Sequence, residues 1–357
     1  MRLDLPGGPY TMREPRPYPA SPVPATTRVA YAAAHVVPDP LGTGLDWDAT
    51  LAFRHHLWSH GLGVAEAMDT AQRGMGLGWA ETQDLIKRTG AAAEGALVCG
   101  AGTDQLPPGP TTLDAIIGAY EEQLEVVEEA GARPVIMASR QLAASASGAE
   151  DYVRVYERLL RQVSRPAILH WLGPMFDPAL TGYWGDDAAE TVLAITGMGN
   201  VDGVKVSLLD ADAEIALRRR LPDGVRLYTG DDFNYPDLIR GGSDALLGVF
   251  DPIAAPAAAA LRALDDGDLG SYDAILAPTV PLARHLFAAP TYFYKTGVVF
   301  LAWLAGHQKA FRMVGGYESA RPVPHLVELF TLADAAGLFP DPDLAASRMR
   351  AWLEVNT

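Results

Sequence analysis

One structural unit recurs along the chain from residue 29 to residue 254: a short apolar run, a polar or glycine-rich turn, and an amphipathic stretch with helical spacing. Apolar runs of this length predict strands, and strands that alternate with helices predict a parallel sheet. The eight predicted strands are Val29–Val37, Gly63–Met68, Gly95–Cys99, Pro134–Ala138, Pro166–Leu172, Val201–Leu209, Val225–Tyr228 and Ala245–Phe250. The predicted helices are Trp47–His60, Trp79–Arg88, Thr112–Ala130, Glu150–Val163, Ala188–Thr196, Ala211–Arg220 and Tyr235–Ile239.

Eight such units in about 220 residues predict an α/β fold of the (β/α)8, or TIM, barrel type. The strands are apolar along their whole length, as expected when helices cover one face and a packed interior covers the other. An open doubly wound sheet is the competing architecture, but no Gly-x-Gly-x-x-Gly sequence follows the first predicted strand, where a dinucleotide-binding fold would need it.

The predicted organisation has three parts. Residues 1–28 form a proline-rich arm with no helical or alternating pattern, which is either loosely ordered or a strap on the barrel or on a neighbouring subunit. Residues 29–254 form the barrel, and residues 255–357 form a helical region packed on it. The segment Gly297–Ala305 is so apolar that we expect it to lie in a subunit interface, which predicts a homo-oligomer.

Composition narrows the classes of partner. The formal net charge is −16, so neither nucleic acid nor an anionic membrane surface is an expected partner, whereas a small molecule is. Cys99 is the single cysteine and no charged-then-apolar leader opens the chain, so we expect a reducing, cytoplasmic location. No apolar run reaches the roughly 18 residues of a membrane span.

Lys205 is the first candidate catalytic residue. The chain has 24 arginines and only four lysines, yet Lys205 lies within the apolar sixth predicted strand. An apolar environment disfavours the charged amine and leaves more of it neutral and nucleophilic, as Schiff-base formation with a carbonyl requires. The alternative is a lysine whose stem is buried while its ammonium reaches water.

Polar residues at the carboxyl ends of barrel strands are the other candidates, because active sites of such barrels lie at that face. His170 stands out, since it lies inside the fifth predicted strand, next to the strand that holds Lys205. Any one of the others can be there for solvation alone. They are His35, Asp69, Thr70, Thr103, Asp104, Ser139, Arg140, Ser207, Asp231, Asp232 and Asp251.

Three motifs in order resemble the dihydrodipicolinate synthase and N-acetylneuraminate lyase family: Gly203-Val-Lys205-Val-Ser, Tyr228-Thr-Gly-Asp-Asp232 and Gly241-Gly-Ser-Asp-Ala-Leu-Leu-Gly-Val. The resemblance covers residues 29–340. It implies a Schiff base on Lys205 without a separate cofactor, a small carbonyl substrate, and a homo-oligomer, either dimer or tetramer. In this chain the family's strand-five tyrosine, which relays protons, is replaced by His170.

The strand-two segment departs from the family's Gly-Thr-Thr-Gly-Glu, which cradles a keto acid carboxylate. It is Asp69-Thr70-Ala-Gln-Arg73 here, with only Thr70 retained, so the resemblance leaves carboxylate binding open. Arg140 or Arg73 is a candidate replacement anion contact, because a planar guanidinium binds carboxylates in a bidentate manner. Asp69, Thr70 and Asp231 complete the polar substrate contacts.

The long loop after the fifth predicted strand brings four aromatics, Trp171, Phe176, Tyr183 and Trp184, close to His170. Trp184 is predicted to stack on a sugar or ring, and the alternative is that these aromatics pack the loop onto the barrel rim. His55, His56 and His60 resemble a zinc-binding spacing, but no glutamate base accompanies them and their helix should face outward, so we predict no metal there.

The leading functional hypothesis is therefore a class I aldolase or lyase, or a dehydratase, acting on a keto acid or sugar-derived carbonyl compound. Lys205 would form the imine and His170 would move the proton. A metal-dependent sugar isomerase or epimerase is the first alternative, with Glu66, Asp69, His170 and Asp231 as ligands. A non-catalytic small-molecule sensor on the same scaffold is the second.

Overall fold

The computed structural model describes residues 1–42 and 44–357. Eight parallel strands close into a barrel in the order β10-β3-β4-β5-β6-β7-β8-β9, which confirms the predicted (β/α)8 fold. Their bounds are β3 Ala30–Ala33, β4 Gly63–Glu66, β5 Leu97–Ala101, β6 Arg133–Ile136, β7 Ala167–Leu172, β8 Val201–Ser207, β9 Arg226–Thr229 and β10 Asp244–Leu247.

The helices follow the predicted pattern to within a few residues. Those of the barrel are α1 Trp47–Ser59, α2 Trp79–Ala91, α3 Leu113–Glu129, α4 Arg140–Ser145, α5 Ala149–Gln162, α6 Ala188–Thr196, α7 Ala211–Arg218 and α8 Tyr235–Arg240. Short α4 was not predicted, because its six residues span less than two turns and carry little periodic signal. The C-terminal helices are α9 Ala254–Asp265, α10 Leu269–Leu276, α11 Thr279–Leu286, α12 Tyr294–Leu304, α13 Val323–Ala335 and α14 Pro342–Asn356.

Strand pairing determines which side chains fill the barrel. Lys205 is in register with His170 on one side and with Tyr228 on the other. Tyr228 belongs to a buried layer with Tyr31, Val98 and other apolar residues from the remaining strands. Because side chains alternate along a strand, this register puts Lys205 and His170 on the interior face.

A buried ion pair fixes α1 against β4. Nε and Nη2 of Arg54 each donate to a Glu66 carboxylate oxygen at 2.8 Å, and both side chains are fully buried. Thr89 of α2 donates to the same carboxylate at 2.8 Å. Arg54 also donates to the carbonyl oxygen of His35, beyond the end of β3. Helices α1 and α2 and strand β4 therefore meet at the Glu66 carboxylate, whose oxygens both accept hydrogen bonds.

Residues 1–28 depart from the pattern-free arm that the sequence predicts. Strands β1 (Arg2–Leu5) and β2 (Gly8–Thr11) form an antiparallel hairpin whose Leu3 is buried in the main hydrophobic core. Tyr10 donates to Asp334 of α13 at 2.7 Å. The hairpin is too short to show a recognisable alternation in sequence, and its packing on the chain's own C-terminal helices stabilises it.

The expected role of Gly297–Ala305 as an exposed interface is wrong. Helix α12 contains this segment and packs against α11, α13 and α14, and all its residues are buried except Trp303, which is half-buried. The apolar residues of this segment thus pack against helices of the same chain. The homo-oligomer therefore stays a prediction, and this segment no longer supports it. In the part of the chain that the structure describes, no helix is both long and apolar enough to span a membrane.

Replacing Arg54 with leucine should destabilise the fold by about 3–5 kcal/mol, because it leaves the Glu66 carboxylate buried without a counterion. Urea unfolding would measure this change in the free energy of unfolding. Arg154→Leu is the matched control, since Arg154 pairs with Asp114 at the surface, and its effect should stay within about 0.5 kcal/mol. Equal effects of the two substitutions would contradict a structural role for the buried pair.

Candidate active site

Lys205 lies inside the barrel near the carboxyl end of β8, with 7% of its surface exposed. The neighbouring strand β9 makes room for it through Gly230. A Cβ atom on Gly230 would lie 3.0 Å from Cε of Lys205 and would overlap Oγ of Ser207. The glycine of the Thr229-Gly-Asp-Asp motif is thus required chiefly by the close approach of Ser207 and the β8 backbone, and it also leaves room for the lysine stem.

Burial lowers the pKa of Lys205 from its ordinary value. The negative charges of Asp69 and Asp232 act in the opposite direction and raise this pKa. Two opposing effects therefore act on the protonation of Lys205. Desolvation favours the neutral nucleophile, and the two carboxylates favour the ammonium. A lysine amine whose pKa is lowered in this way is neutral more often than a solvated one, and the neutral amine can attack a carbonyl carbon.

The carboxylate from the loop after β9 that acts on Lys205 is that of Asp232. Asp231, which the sequence predicts as a substrate contact, has a different role. Oδ1 of Asp231 accepts from the backbone of Phe233 and Asn234 at 2.8 and 3.0 Å, so this carboxylate holds the loop. Asp232 is buried, and burial raises its pKa to about 7. Side chains alternate here as in the strand, so the second aspartate and not the first is on the interior side with Gly230 and Lys205.

His170 is brought beside Lys205, as predicted. Its Nε2 lies 3.3 Å from Oγ of Ser207, and its Nδ1 is buried with no hydrogen-bond partner among the described residues. Burial, reinforced by the positive charge of Lys205, holds the pKa of His170 well below its usual range. The ring is therefore a neutral imidazole at physiological pH, able to accept or donate one hydrogen bond at each nitrogen according to its tautomer.

The C-terminal region supplies part of the site, a contribution that the sequence pattern does not predict. Tyr294, the first residue of α12, hydrogen-bonds through its hydroxyl to Oγ1 of Thr70 at 2.9 Å. Its ring stacks on Phe287 at 4.5 Å between centroids. Gly248, after β10, permits this approach, because a Cβ there would lie 3.1 Å from the Phe287 ring and 3.4 Å from the Tyr294 ring. These aromatics cover the barrel mouth.

The two candidate anion contacts have different surroundings. Arg73 is buried, and its guanidinium already binds Asp104, Gln123 and the carbonyl oxygen of Gly100. Arg140, at the start of α4, is bound through Nε to Asp177 at 2.5 Å and keeps 46% of its side chain exposed. The hydroxyl of Tyr292 is also within hydrogen-bonding range of the Arg140 guanidinium. Because Arg73 is buried and Arg140 is half exposed, Arg140 is the one of the two that an anion from solution can reach.

The prediction that Trp184 binds a substrate is wrong. The side chain is fully buried against Tyr152, Tyr156 and Tyr183, with ring centroids 5.7, 4.7 and 4.9 Å away. Its backbone adopts φ of +79°, a left-handed conformation that a non-glycine residue keeps only where packing enforces it. Trp184 therefore packs the loop onto α5. Of the four loop aromatics, it is Phe176 that contacts Tyr294 at the barrel mouth, with ring centroids 6.0 Å apart.

The residues predicted as ligands for the metal-dependent alternative do not all lie around one site. Glu66 is used by Arg54 in the helix layer, and Asp231 is used by the backbone of its own loop. Of the helix α1 histidines, His55 pairs with Glu94 at the surface. His56 meets His60 edge to face, with ring centroids 4.8 Å apart, beside a separate cavity of about 410 Å³ beneath the proline-rich arm. Within residues 1–42 and 44–357, no group of three or more potential ligands has a metal-holding arrangement.

Replacing Trp184 with alanine should lower the free energy of unfolding by about 3–5 kcal/mol, because it leaves a large cavity among three tyrosines. The Michaelis constant or ligand affinity of the protein that remains folded should be unchanged, since Trp184 has no surface facing the barrel mouth. Measuring both quantities on one preparation separates the two roles. A variant with unaltered stability and weakened binding would restore the stacking role.

Comparisons with known proteins agree with this architecture. The crystal structure of YagE, a prophage protein of the dihydrodipicolinic acid synthase family from E. coli K12 in complex with pyruvate, matches with a TM-score of 0.72 at 17% identity, over 87% of this chain and 99% of that chain. Dihydrodipicolinate synthase from Aquifex aeolicus matches with a TM-score of 0.68 at 14% identity, over 87% and 99%. The enzyme from Acinetobacter baumannii complexed with pyruvate matches with a TM-score of 0.67 at 16% identity, over 88% and 100%.

These likenesses confirm the predicted resemblance at the level of the fold. No curated protein matches the chain in sequence. A family model described as protein of unknown function (DUF993) matches residues 6–357, which is nearly the whole chain. The chain therefore belongs to the DUF993 family, whose member described here has the barrel fold seen in dihydrodipicolinate synthases.

Proposed function

We propose that this protein is a Schiff-base-forming lyase of the class I aldolase type, acting on a small carbonyl compound. The observation that carries the proposal is the burial of Lys205 inside the barrel between Asp69 and Asp232, with its pKa lowered by desolvation. The likeness in fold to proteins whose structures contain pyruvate supports the same class of chemistry. Carbon–carbon cleavage and carbon–oxygen elimination both fit this site.

The chemistry begins with the neutral amine. Nζ of Lys205 attacks the carbonyl carbon to give a carbinolamine, and transfer of a proton to its hydroxyl group with loss of water gives a protonated imine. This cation accepts the electron pair of an adjacent breaking bond. In aldol cleavage a base removes the proton of the β-hydroxyl, the carbon–carbon bond breaks, an aldehyde leaves and an enamine stays on the lysine. Protonation of the enamine carbon and hydrolysis of the imine then release the second product.

Proton transfers fall to groups around Lys205. Asp232 has a pKa of about 7, so it can hold or release a proton near neutrality. His170 is neutral, and its unpartnered Nδ1 is free to bond to a substrate hydroxyl or a water molecule. We assign it the relay of protons at the imine. The low pKa of its ring makes it a weak base and a hydrogen-bond partner that changes charge only transiently.

Borohydride reduction in the presence of a reactive carbonyl compound should add the mass of the reduced adduct to the peptide that contains Lys205. Lys205→Arg should abolish both adduct and turnover, because a guanidinium does not form the imine under these conditions. Lys87→Arg changes an exposed lysine and is the control that keeps both. Peptide mass spectrometry reads out the adduct, and activity in Lys205→Arg that a chelator removes would favour the metal alternative.

His170→Ala should leave the adduct on Lys205 detectable while slowing turnover by roughly 10² to 10⁴-fold, the usual effect of losing a general acid or base. Single-turnover kinetics would separate imine formation from the later steps. Loss of the adduct together with turnover would mean that His170 only shapes the pocket around the amine.

The rate of adduct formation should rise with pH as Lys205 loses its proton. Asp232→Asn should shift this rise, the pH limb, to lower pH. The carboxylate of Asp232 stabilises the ammonium and so raises the pKa of Lys205. An amide has no charge, so the pKa of Lys205 falls further and the neutral amine forms at a lower pH. The position of the limb, measured by trapping rates between pH 6 and 10, tests this independently of the plateau rate. A limb that stays in place or moves upward would contradict the coupling.

A further inference from the structure

We propose that Lys295 and Arg140 form an anion-binding subsite beside the barrel mouth, so that the substrate is a carbonyl compound carrying a carboxylate or phosphate group. This inference rests on the proposed Schiff-base function and specifies its substrate class. Neither residue belongs to the motifs that led to Lys205.

Lys295 is a buried cation that no carboxylate among the described residues contacts directly, although Asp69 and Asp177 act on its charge from a distance. It lies in the first turn of α12 with 2% of its surface exposed, and its Nζ donates to the carbonyl oxygen of Tyr292 at 3.2 Å. Among the described residues it forms no ion pair within 4 Å of a carboxylate. Leaving a charge buried and unpaired costs free energy, so such a group is retained where something else pairs with it.

Two tyrosine rings hold the ammonium in place. Nζ of Lys295 lies 4.6 Å from the ring centroid of Tyr292 and 4.8 Å from that of Tyr294. Aromatic faces attract a cation without satisfying its hydrogen-bond donors. With one donor used by the carbonyl oxygen of Tyr292, the ammonium retains two N–H groups for a ligand.

The same two tyrosines connect Lys295 to the solvent side and to the barrel side. The hydroxyl of Tyr292 donates to the carbonyl oxygen of Gly74 at 3.0 Å, and a Cβ on Gly74 would lie 3.3 Å from Nη2 of Arg140. The hydroxyl of Tyr294 contacts Thr70 at the mouth. Lys295 is therefore placed between half-exposed Arg140 and the polar groups near Lys205.

Electrostatics supports this placement. The pKa of Lys295 is lowered to about 8, chiefly by burial, and the charge of Arg140 contributes to the lowering. Asp69 raises the pKa of Lys295 and also that of Lys205, so this one carboxylate lies within range of both amines. An anionic group held by Lys295 and Arg140 would thus belong to a molecule whose carbonyl reaches Lys205.

The geometry suits a carboxylate or a phosphate. A guanidinium presents paired N–H groups to two oxygens, and an ammonium adds a point charge from a second direction. Asp177 binds Arg140 through Nε and the Tyr292 hydroxyl lies within hydrogen-bonding range, so a guanidinium with five N–H donors keeps some of them for the ligand. The retained Thr70 follows Asp69 in the strand-two loop, which contacts Tyr294 through Thr70 and acts on the charges of Lys205 and Lys295 through Asp69.

Matched pairs of carbonyl compounds test the subsite directly. Pyruvate against acetone and dihydroxyacetone phosphate against dihydroxyacetone differ by one anionic group, and borohydride trapping on the Lys205 peptide measures each. We expect the wild-type protein to prefer at least one anionic member, which identifies carboxylate or phosphate. Lys295→Met and Arg140→Gln should each reduce that preference at least tenfold and leave trapping of the neutral member within twofold.

Lys309→Met is the control, since Lys309 is exposed, and it should keep the wild-type preference. Lys295→Met should also be folded and no less heat-stable than the wild type, because methionine removes an unpaired buried charge and keeps most of the volume. A purely structural lysine would instead lose stability without a change in preference. Should this variant fail to fold, Arg140→Gln at its half-exposed position still carries the test.

Binding of inorganic phosphate and of acetate, measured by titration calorimetry, makes the outcome independent of the imine. Binding that is lost in Lys295→Met supports the subsite even if no compound is ever trapped on Lys205, which would overturn only the Schiff-base function. Trapping on Lys205 with no preference for anionic compounds would overturn only the subsite. An adduct on the peptide of Lys295 would also overturn it.

Discussion

Desolvation of one amine is the constraint around which this molecule is built. Closure of eight strands excludes water from the interior, and Lys205 extends into that interior with little surface exposed. An isolated ammonium there would be too costly, so the fold supplies Asp69 and Asp232 close by. Gly230, directly after β9, makes room for the side chains of Ser207 and Lys205, and the aspartate two residues later provides charge, which explains why both occur in one short motif. The barrel thus fixes the chemistry of the amine before any substrate arrives.

The C-terminal helices complete what the barrel alone leaves open. Tyr294 and Phe287 cover the mouth and lie against Gly248, so the roof is fitted to the strand end beneath it. The hairpin at residues 2–11 in turn binds the C-terminal helices, through Tyr10 and Asp334. Residues far apart in sequence are therefore parts of one enclosure. Covering the site strengthens every electrostatic interaction inside it, because fewer waters screen the charges.

Most of the barrel could be predicted because its signals are local. Strand and helix periods alternate in the sequence, and Lys205 is conspicuous within an apolar strand. The choice between Asp231 and Asp232 depends on which side of the strand each residue faces, and the motif alone does not state the register. Trp184 was misassigned because an aromatic loop can pack inward or face a ligand, and only the contacts with Tyr152 and Tyr156 decide. Tyr294 and Lys295 could not be found from local pattern, since tertiary packing brings their helix to the mouth.

The charges at the mouth follow a consistent arrangement. The three cations differ in how their carboxylates are placed. Half-exposed Arg140 is directly bonded to Asp177, whereas buried Lys205 and Lys295 interact with Asp69 through space. A directly paired cation keeps its geometry, and a cation that is only loosely compensated keeps its capacity for a new partner. In the roles that we propose, the partner of Lys205 is a carbonyl carbon, which needs the neutral amine, and the partner of Lys295 is an anion, which needs the charged amine. In this proposal the same desolvation prepares two lysines for opposite tasks. The rings of Tyr292 and Tyr294 support the charge of Lys295, whereas the amine of Lys205 is balanced between burial and the carboxylates of Asp69 and Asp232.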